Sequence, residues 1–114
     1  MNLPTSLMTP RLNLPVIKSA AEYAFIALQE QVKAIEATLV AGEDVLGMFA
    51  SFGVATSLTI NNISLKNAFF VFDGVDDQGR AAHLIQHYTQ LSLLLVKDKA
   101  KKPDRRSIGF SAEI

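Results

Sequence analysis

Hydrophobic and polar positions follow a helical period in the first part of the chain. Between Ser19 and Val40, apolar residues recur at spacings of four and three, as in a helix with one buried stripe. The stripe consists of Ala21, Phe25, Leu28, Val32, Ile35 and Leu39. Ser19 and Glu22 match a capping box, and Gly42 offers a stop signal. The pattern predicts an amphipathic helix that packs on the rest of the domain.

From Gly47 onward the period is that of strands. Apolar and polar residues alternate over 54–60, and 68–72 is aromatic and β-branched, typical of a buried strand. Two more strands are predicted at 91–96 and 107–114, the latter with Ile108 and Phe110 facing inward. Asn61-Asn62 is a candidate bulge or turn. The residues between the last two strands, 97–106, are predicted to form a loop.

The segment from Arg80 to Gln90 allows two interpretations. As a strand it would place His83 and His87 on one face and Gln86 on the other. As a helix it would instead form an apolar stripe that includes Leu84, Tyr88, Leu91 and Leu95. The preceding sequence, Asp76 to Gly79, has the composition of a hairpin turn, with Gly79 able to adopt positive φ. The turn favours the strand, but the period alone leaves both interpretations open.

The length of 114 residues fits a single domain. Residues 1–17 contain Pro4, Pro10 and Pro15 and are predicted to form an extended arm. The arm packs either on its own domain or on a neighbouring subunit. Residues 18–114 are predicted to form one α+β domain, with the N-terminal helix on a bent antiparallel sheet of about five strands. Exposed sheet edges at this size predict a homo-oligomer.

Composition excludes several functional classes. The chain has no cysteine, which rules out disulfides, thiolate metal sites and cysteine catalysis. Its net charge is zero, so overall electrostatics favour no class of partner. Charge is nevertheless uneven, because residues 93–114 carry six Lys and Arg against three acids. No signal-peptide pattern is present, and no apolar run is long enough for a bilayer. These features predict a cytoplasmic protein without a membrane partner.

Catalytic patterns are weak. His83 and His87 are four residues apart, a spacing that binds metals on a helix, and a third ligand would have to be Asp73, Asp76 or Asp77. Leu84, however, follows His83 where a zinc-protease helix has glutamate, and a strand would hold the imidazoles too far apart. No serine lies in a Gly-x-Ser-x-Gly elbow, and no glycine-rich phosphate loop is present. We therefore expect no enzyme and no cofactor, and a metal-dependent hydrolase is a remote third hypothesis.

Residues suited to ligand binding cluster in the second half of the sequence. Arginine side chains match phosphate geometry, while histidine and glutamine can stack on bases or bond to their edges. The candidate site consists of Arg80, His83, Gln86, His87, Gln90, Arg105 and Arg106. It requires the loop before the last strand to fold toward the hairpin, and its predicted ligand is a nucleotide or RNA. The alternative is a basic surface turn beside a structurally satisfied polar strand.

The same half of the chain resembles an uncharacterised bacterial and phage domain family. That family's pattern is a Phe-x-Gly-Val-Asp/Asn-x-x-Gly hairpin, then Leu-Ile-Gln-His-x-Ser-Gln-Leu-Ser-Val-Leu-Leu-Val, then Arg-Arg-Ile-Gly-Phe. The matching segments are Phe72–Asp76, Gly79, Leu84–Val96 and Gly109-Phe110. Thr89 replaces the family serine, and Ser107 separates the arginines from Ile108. The resemblance implies no established activity.

A weaker resemblance concerns architecture. A capped helix before about five short strands, with an apolar-x-x-His-x-x-x-apolar stretch near the end, is similar to Sm-like RNA-binding proteins. This implies a small barrel that forms rings and holds RNA between subunits. The lysine-histidine pair typical of such proteins is absent, because Gln86 precedes His87.

Two functions follow as expectations. The first is a small non-catalytic, homo-oligomeric binding protein for a nucleotide or RNA, including the variant of a phage protein that sequesters a host signalling nucleotide. The second is a protein–protein interaction or regulatory module. In that case the proline-containing arm or the helix binds a protein partner, and the Gln86-His87 stretch is structural.

Overall fold

The computed structural model describes residues 18–51, 54–100 and 107–113. Within these ranges one helix precedes six strands, and a 3-10 turn, Tyr88–Gln90, joins the fourth strand to the fifth. In chain order the elements are α1 (Ala20–Glu36), β1 (Glu43–Ser51), β2 (Val54–Lys66), β3 (Phe69–Asp76), β4 (Ala81–His87), β5 (Leu93–Lys99) and β6 (Gly109–Glu113). The predicted α+β class is confirmed. The predicted arm, residues 1–17, lies outside the described residues.

The strands form one open sheet in the order β4-β3-β2-β1-β5, with antiparallel neighbours throughout. β6 adds a sixth, parallel strand beside β2. β2 shares one of its edges between β1 and β6, while β3 runs along the other edge. In the described residues no pairing joins β4 to β5. The sheet is therefore not the closed Sm-like barrel that the sequence analysis allowed.

The helix starts where its capping box predicts. Ser19 Oγ accepts a hydrogen bond from Glu22 N at 3.1 Å, and the Glu22 carboxylate accepts one from Ser19 N at 2.7 Å. The helix ends at Glu36, earlier than the predicted Val40, because the chain tightens into a turn whose N–H groups bond Lys33, Ile35 and Glu36 carbonyls. None of the helices in the described ranges is long and apolar enough to span a membrane.

The core lies between α1 and one face of the sheet. All three fully buried helix residues belong to the predicted stripe: Ala21, Phe25 and Val32. The Phe25 ring contacts Phe70 of β3 and Phe110 of β6, at centroid distances of 6.1 and 5.9 Å. Aromatic pairs in this tilted or edge-on geometry stabilise a core beyond their buried area. Ile108 is buried and Phe110 packs against the core, as predicted.

A β-bulge in β2 keeps both halves of this long strand in register with the core. The pairing with β3 shifts between Ile60 and Asn62, which leaves Asn61 as the extra residue. Leu58 and Ile60 are buried before the bulge, and Ile63 and Leu65 after it. Because side chains alternate across a strand, the extra residue is what switches burial from even to odd positions. The prediction of a bulge at Asn61-Asn62 is confirmed.

One predicted loop is partly wrong. Residues 97–99 continue β5 rather than starting the loop, and pair with the beginning of β1. Lys99 lies opposite Glu43, an attractive arrangement, but Asp98 lies opposite Asp44, a repulsive one, so cross-strand charge does not by itself account for the extension of the strand. The remainder of the basic segment, residues 101–106, lies outside the described residues.

Candidate functional site

The segment from Arg80 to Gln90 is a strand followed by a short helical turn. Ala81–His87 form β4, an edge of the sheet, and Tyr88–Gln90 form the 3-10 turn. His83 and His87 lie on the face away from the core, with Ile85 between them. Gln86 lies opposite the buried Phe70 and belongs to the other face. The strand interpretation is confirmed, and it divides the predicted site between two faces.

The predicted site residues are also spread along β4. Arg80 precedes the strand and Gln90 follows it, so the seven-residue strand separates them by about 20 Å at the usual rise per residue. Arg105 and Arg106 belong to the segment outside the described residues. Within the described ranges, therefore, the predicted residues do not converge on one point but lie at the two ends of β4.

At the Arg80 end, the arginine holds the hairpin turn. Its Nε donates to Asp76 Oδ2 at 2.8 Å, and the backbone N–H groups of Arg80 and Gln78 both donate to Asp76 Oδ1 at 2.9 Å. The N–H of Arg80 is the largest cause that lowers the pKa of the Asp76 carboxyl, partly opposed by desolvation. Gly79 adopts φ +79°, the positive value predicted for this turn. Arg80 is thus explained by the fold without a ligand.

His83, near this end, forms a pair with Asp73. The two residues are directly opposite in the β3–β4 register, and His83 Nδ1 is 2.7 Å from Asp73 Oδ1. A carboxylate can only accept, so Nδ1 carries the proton. In the neutral ring, Nε2 is then a hydrogen-bond acceptor. The side chain is 64% exposed, which presents this acceptor to solvent.

In His87, at the other end of β4, Nδ1 accepts a hydrogen bond, whereas in His83 it donates one. Its Nδ1 accepts from the backbone N–H of Thr89 at 3.3 Å and lies 2.8 Å from Thr89 Oγ1. A backbone N–H can only donate, so Nδ1 is the acceptor and the neutral ring carries its proton on Nε2. Two histidines on one face of β4 therefore present opposite polarities: an acceptor at His83 and a donor at His87.

Three rings meet at the His87 end, and we call Phe69, His87 and Tyr88 the aromatic cluster. Phe69 lies edge-on to His87 at 5.4 Å, and Tyr88 packs against His87 at 4.9 Å with a tilt of 31°. Phe69 is 45% exposed, although its neighbour Phe70 is buried. Lys66 is exposed and lies opposite Phe69 in the β2–β3 register. The cluster thus combines an exposed ring with a nearby cation.

Sequence reasoning missed Phe69 and Lys66. It treated 68–72 as one buried aromatic strand, and alternation was the signal that could have separated the two faces. With Phe70 and Phe72 inward, Phe69 has to point outward. The proximity of Phe69 to His87 follows only from the hairpin register, which sets His87 opposite Phe69.

The geometry provides no metal centre in the part of the chain that the structure describes. His83 and His87 are about 13 Å apart along the strand, whereas ligands of one ion lie within about 2–2.5 Å of it. No group of three or more His, Asp or Glu side chains in these ranges is placed to hold an ion. A hydrolase built on His83, His87 and Asp73 therefore has no support from the arrangement.

The aromatic cluster lies on an open face. One hollow of the described surface lies between β1 and β5 beside Asp44 and Lys99, and another lies beside Met48, Ser57 and Arg80. Neither is lined by a ring of the cluster. An open face suits an extended ligand better than an enclosed small molecule, which needs a concave site.

Comparison of the chain with protein-family models, curated proteins and solved structures finds no match. The resemblance to an uncharacterised bacterial and phage family therefore stays a prediction, whereas the barrel implied by the likeness to Sm-like proteins is not formed by the open sheet of the described residues.

Proposed function

We propose that this protein is a small, non-catalytic, self-associating binding protein that holds single-stranded RNA or a nucleotide at the aromatic cluster. The observation that carries the proposal is the exposed Phe69 ring beside His87, with Lys66 opposite it in the sheet. An exposed aromatic ring beside a cation is the combination with which single-strand binding sites hold a base and its phosphate.

Stacking of a base on Phe69 would cover this ring. Nucleic-acid bases stack on aromatic side chains with about 1–3 kcal/mol per base, largely independent of sequence. His87 contacts Phe69 edge-on and is itself packed against Tyr88, while 45% of Phe69 stays exposed for the ligand. Lys66 can neutralise a phosphate close to the stacked base. A free nucleotide and a nucleotide within RNA both carry a base and a phosphate, so the same ring and cation could bind either.

The openness of the face favours RNA over a free nucleotide. Outward side chains continue from the aromatic cluster along β4 to Ile85 and His83, which gives a strip longer than one nucleotide. A phage protein that sequesters a signalling nucleotide would use the same ring and cation. Competition by free nucleotides distinguishes this function from RNA binding. Either ligand is compatible with a cytoplasmic location, which stays part of the proposal.

Self-association is proposed through the two edges of the sheet, with a second copy of the chain as the occupant. β4 and β5 are both seven residues long, and each exposes one large apolar side chain on the face away from the core. These are Ile85, 62% exposed, and Leu94, 60% exposed. Unpaired strand edges associate readily. Pairing β4 of one copy with β5 of the next is heterologous, so it repeats around a ring or along a chain.

The test is fluorescence anisotropy with a short labelled single-stranded RNA, in wild type and in Phe69→Ala. Loss of one stacked base weakens binding about 5- to 150-fold. Tyr23→Ala is the matched control, because Tyr23 is also an exposed aromatic residue but lies on α1. We expect the control to bind like wild type. Unlabelled mononucleotides added as competitors separate the two sources of base and phosphate.

Several results would overturn the proposal. One is that neither RNA nor mononucleotides show saturable binding at physiological salt. Another is that Phe69→Ala and Tyr23→Ala bind equally well. Native mass spectrometry of gently purified protein gives an independent check, because a nucleotide-sized or RNA adduct on a defined oligomer supports the proposal.

A protein-interaction module is the second candidate. The observation that favours it is a pair of exposed apolar side chains one turn apart on α1, Tyr23 and Ile26. Residues three apart lie side by side on a helix and can form one small contact surface. In this case Tyr23→Ala would abolish capture of a defined protein partner, while Phe69→Ala would not.

A further inference from the structure

We infer that the outward face of β4 distinguishes RNA from DNA, with His83 accepting a hydrogen bond from a ribose 2′-hydroxyl. The inference rests on the proposed function, because it concerns the same bound strand. It names the class of nucleic acid and a residue that selects it. The residues that carry it are His83, Asp73 and His87.

The first step is the fixed polarity of the two imidazoles. Asp73 accepts from Nδ1 of His83, so Nε2 is an acceptor when the ring is neutral, and the side chain is mostly exposed. Thr89 N donates to Nδ1 of His87, so Nε2 of that ring is a donor. A ligand lying along β4 therefore meets a donor beside the aromatic cluster and an acceptor further along the strand.

The second step is what each backbone can offer to an acceptor. Phosphate and sugar-ring oxygens only accept hydrogen bonds, and both RNA and DNA contain them. The 2′-hydroxyl is the one backbone group that can donate, and only RNA has it. His87 can donate to a phosphate of either nucleic acid. His83 finds a backbone partner only in RNA, and beside DNA its acceptor would face further acceptors.

The third step is distance. His83 and His87 are four residues apart on a strand, about 13 Å, which a few nucleotides of an extended strand span. Ile85 lies between them on the same face and is mostly exposed, which provides an apolar contact for the intervening sugar or base. A base stacked on Phe69 thus places the sugar of a nearby nucleotide beside His83.

The experiment compares RNA and DNA strands of the same sequence, with a 2′-O-methyl strand as a third probe. Wild type should bind the RNA about three- to tenfold more tightly than the other two, the usual effect of one neutral hydrogen bond. The critical variant is Asp73→Asn. The asparagine side chain can donate to Nδ1 through its N–H, which moves the ring proton to Nε2, or accept from Nδ1–H through its oxygen, which keeps Nε2 as the acceptor. The preference for RNA should be lost in the first case and kept in the second.

Asp77→Asn is the control for the change in charge. Asp77 is an exposed acid in the turn that joins β3 to β4, whereas Asp73 lies within β3, and its replacement removes one negative charge away from the Asp73–His83 pair. The preference for RNA should survive in this variant. Nitrogen chemical shifts of the histidine rings provide a readout without ligand. In wild type we expect Nδ1 protonated in His83 and Nε2 protonated in His87, and in Asp73→Asn the shifts show whether the His83 proton has moved to Nε2.

The outcomes separate this inference from the proposed function. Phe69-dependent binding that is equal for RNA and DNA overturns the inference alone. A preference that persists in Asp73→Asn, with its ring proton moved, overturns it as well. Absence of any saturable nucleic-acid or nucleotide binding overturns the proposed function itself.

Discussion

The carboxylate of Glu36 accepts a hydrogen bond from the backbone N–H of Ile108 at 2.9 Å, across 72 residues of sequence. Glu36 is the last residue of α1, and Ile108 immediately precedes β6. One turn earlier, Lys33 Nζ lies 5.6 Å from the centre of the Phe110 ring. The end of the helix thus holds the beginning of the last strand through a charged acceptor and a cation–π contact.

We predict that Glu36→Ala lowers the free energy of unfolding by about 1–2 kcal/mol, because the partly buried N–H of Ile108 loses its acceptor. Urea denaturation measures the loss. Glu30→Ala, an exposed acid on the same helix, is the control and should change stability by less than about 0.5 kcal/mol. Equal effects in the two variants would contradict the role given to Glu36.

Gly74 and Gly47 should differ in their tolerance of alanine. A Cβ at Gly74 would lie 2.1 Å from the backbone oxygen of Thr59, whereas at Gly47 the nearest atom, at 2.6 Å, is the side-chain tip of Ile60. A backbone oxygen within a sheet cannot move aside, but a side-chain tip can. We expect Gly74→Ala to cost about 3 kcal/mol or to prevent folding, and Gly47→Ala about 1 kcal/mol. Thermal denaturation of both variants tests the order, and a less stable Gly47→Ala would refute it.

Stability should depend on pH through Asp76. The N–H of Arg80 is the main cause that holds the pKa of this carboxyl below its ordinary value of 3.8. A lowered pKa means that the stabilisation is present above 3.8 and is lost as the pH falls through the folded-state value. Asp76→Asn should therefore be less stable than wild type near neutral pH, and the difference should narrow in acid. Denaturation across a pH series measures it, and a difference independent of pH would exclude this mechanism.

A charge on either sheet edge should prevent self-association. We expect Ile85→Lys and Leu94→Lys each to give monomers in analytical ultracentrifugation, because a lysine on an edge strand opposes pairing with another chain. Val40→Lys is the matched control, since Val40 is an equally exposed apolar residue in a loop. If both edges form the same contact, a mixture of the two edge variants should still form a dimer through their unchanged edges. Oligomers that persist in both single variants would rule out edge pairing.

Much of the fold could be predicted because local signals agreed with one another. The capping box at Ser19, the apolar stripe of α1 and the turn at Gly79 each depend on neighbours within a few residues. The parallel pairing of β6 with β2 could not be predicted, because a strand's partner is not encoded in its own alternation. The same reason applies to the extension of β5, whose charged residues pair with the beginning of β1.

The candidate site was only partly predictable. Periodicity gave the shared face of His83 and His87, but the inclusion of Phe69 required the hairpin register. The grouping of Arg80 with the histidines relied on closeness in sequence, whereas a strand carries its two ends far apart. The polarity of each imidazole depends on Asp73 and Thr89, and a tautomer cannot be inferred from residue type alone.

The pairing of β6 with β2 has a kinetic consequence. Asn62 pairs with Gly109, so this contact closes a loop of more than forty residues, while the β3–β4 hairpin closes over a four-residue turn. Contacts between residues distant in sequence carry a larger entropic cost and form later in folding. The antiparallel pairing of β5 with β1 closes loops of similar length, since Phe49 pairs with Leu93. We therefore expect β1 to β4 to assemble first, and β5 and β6 to dock in the slowest phase. Until that step the core beneath Phe25 would lack Phe110 and be open to solvent on one side. A chaperone could bind this exposed apolar surface, and a protease could cleave the chain beside it.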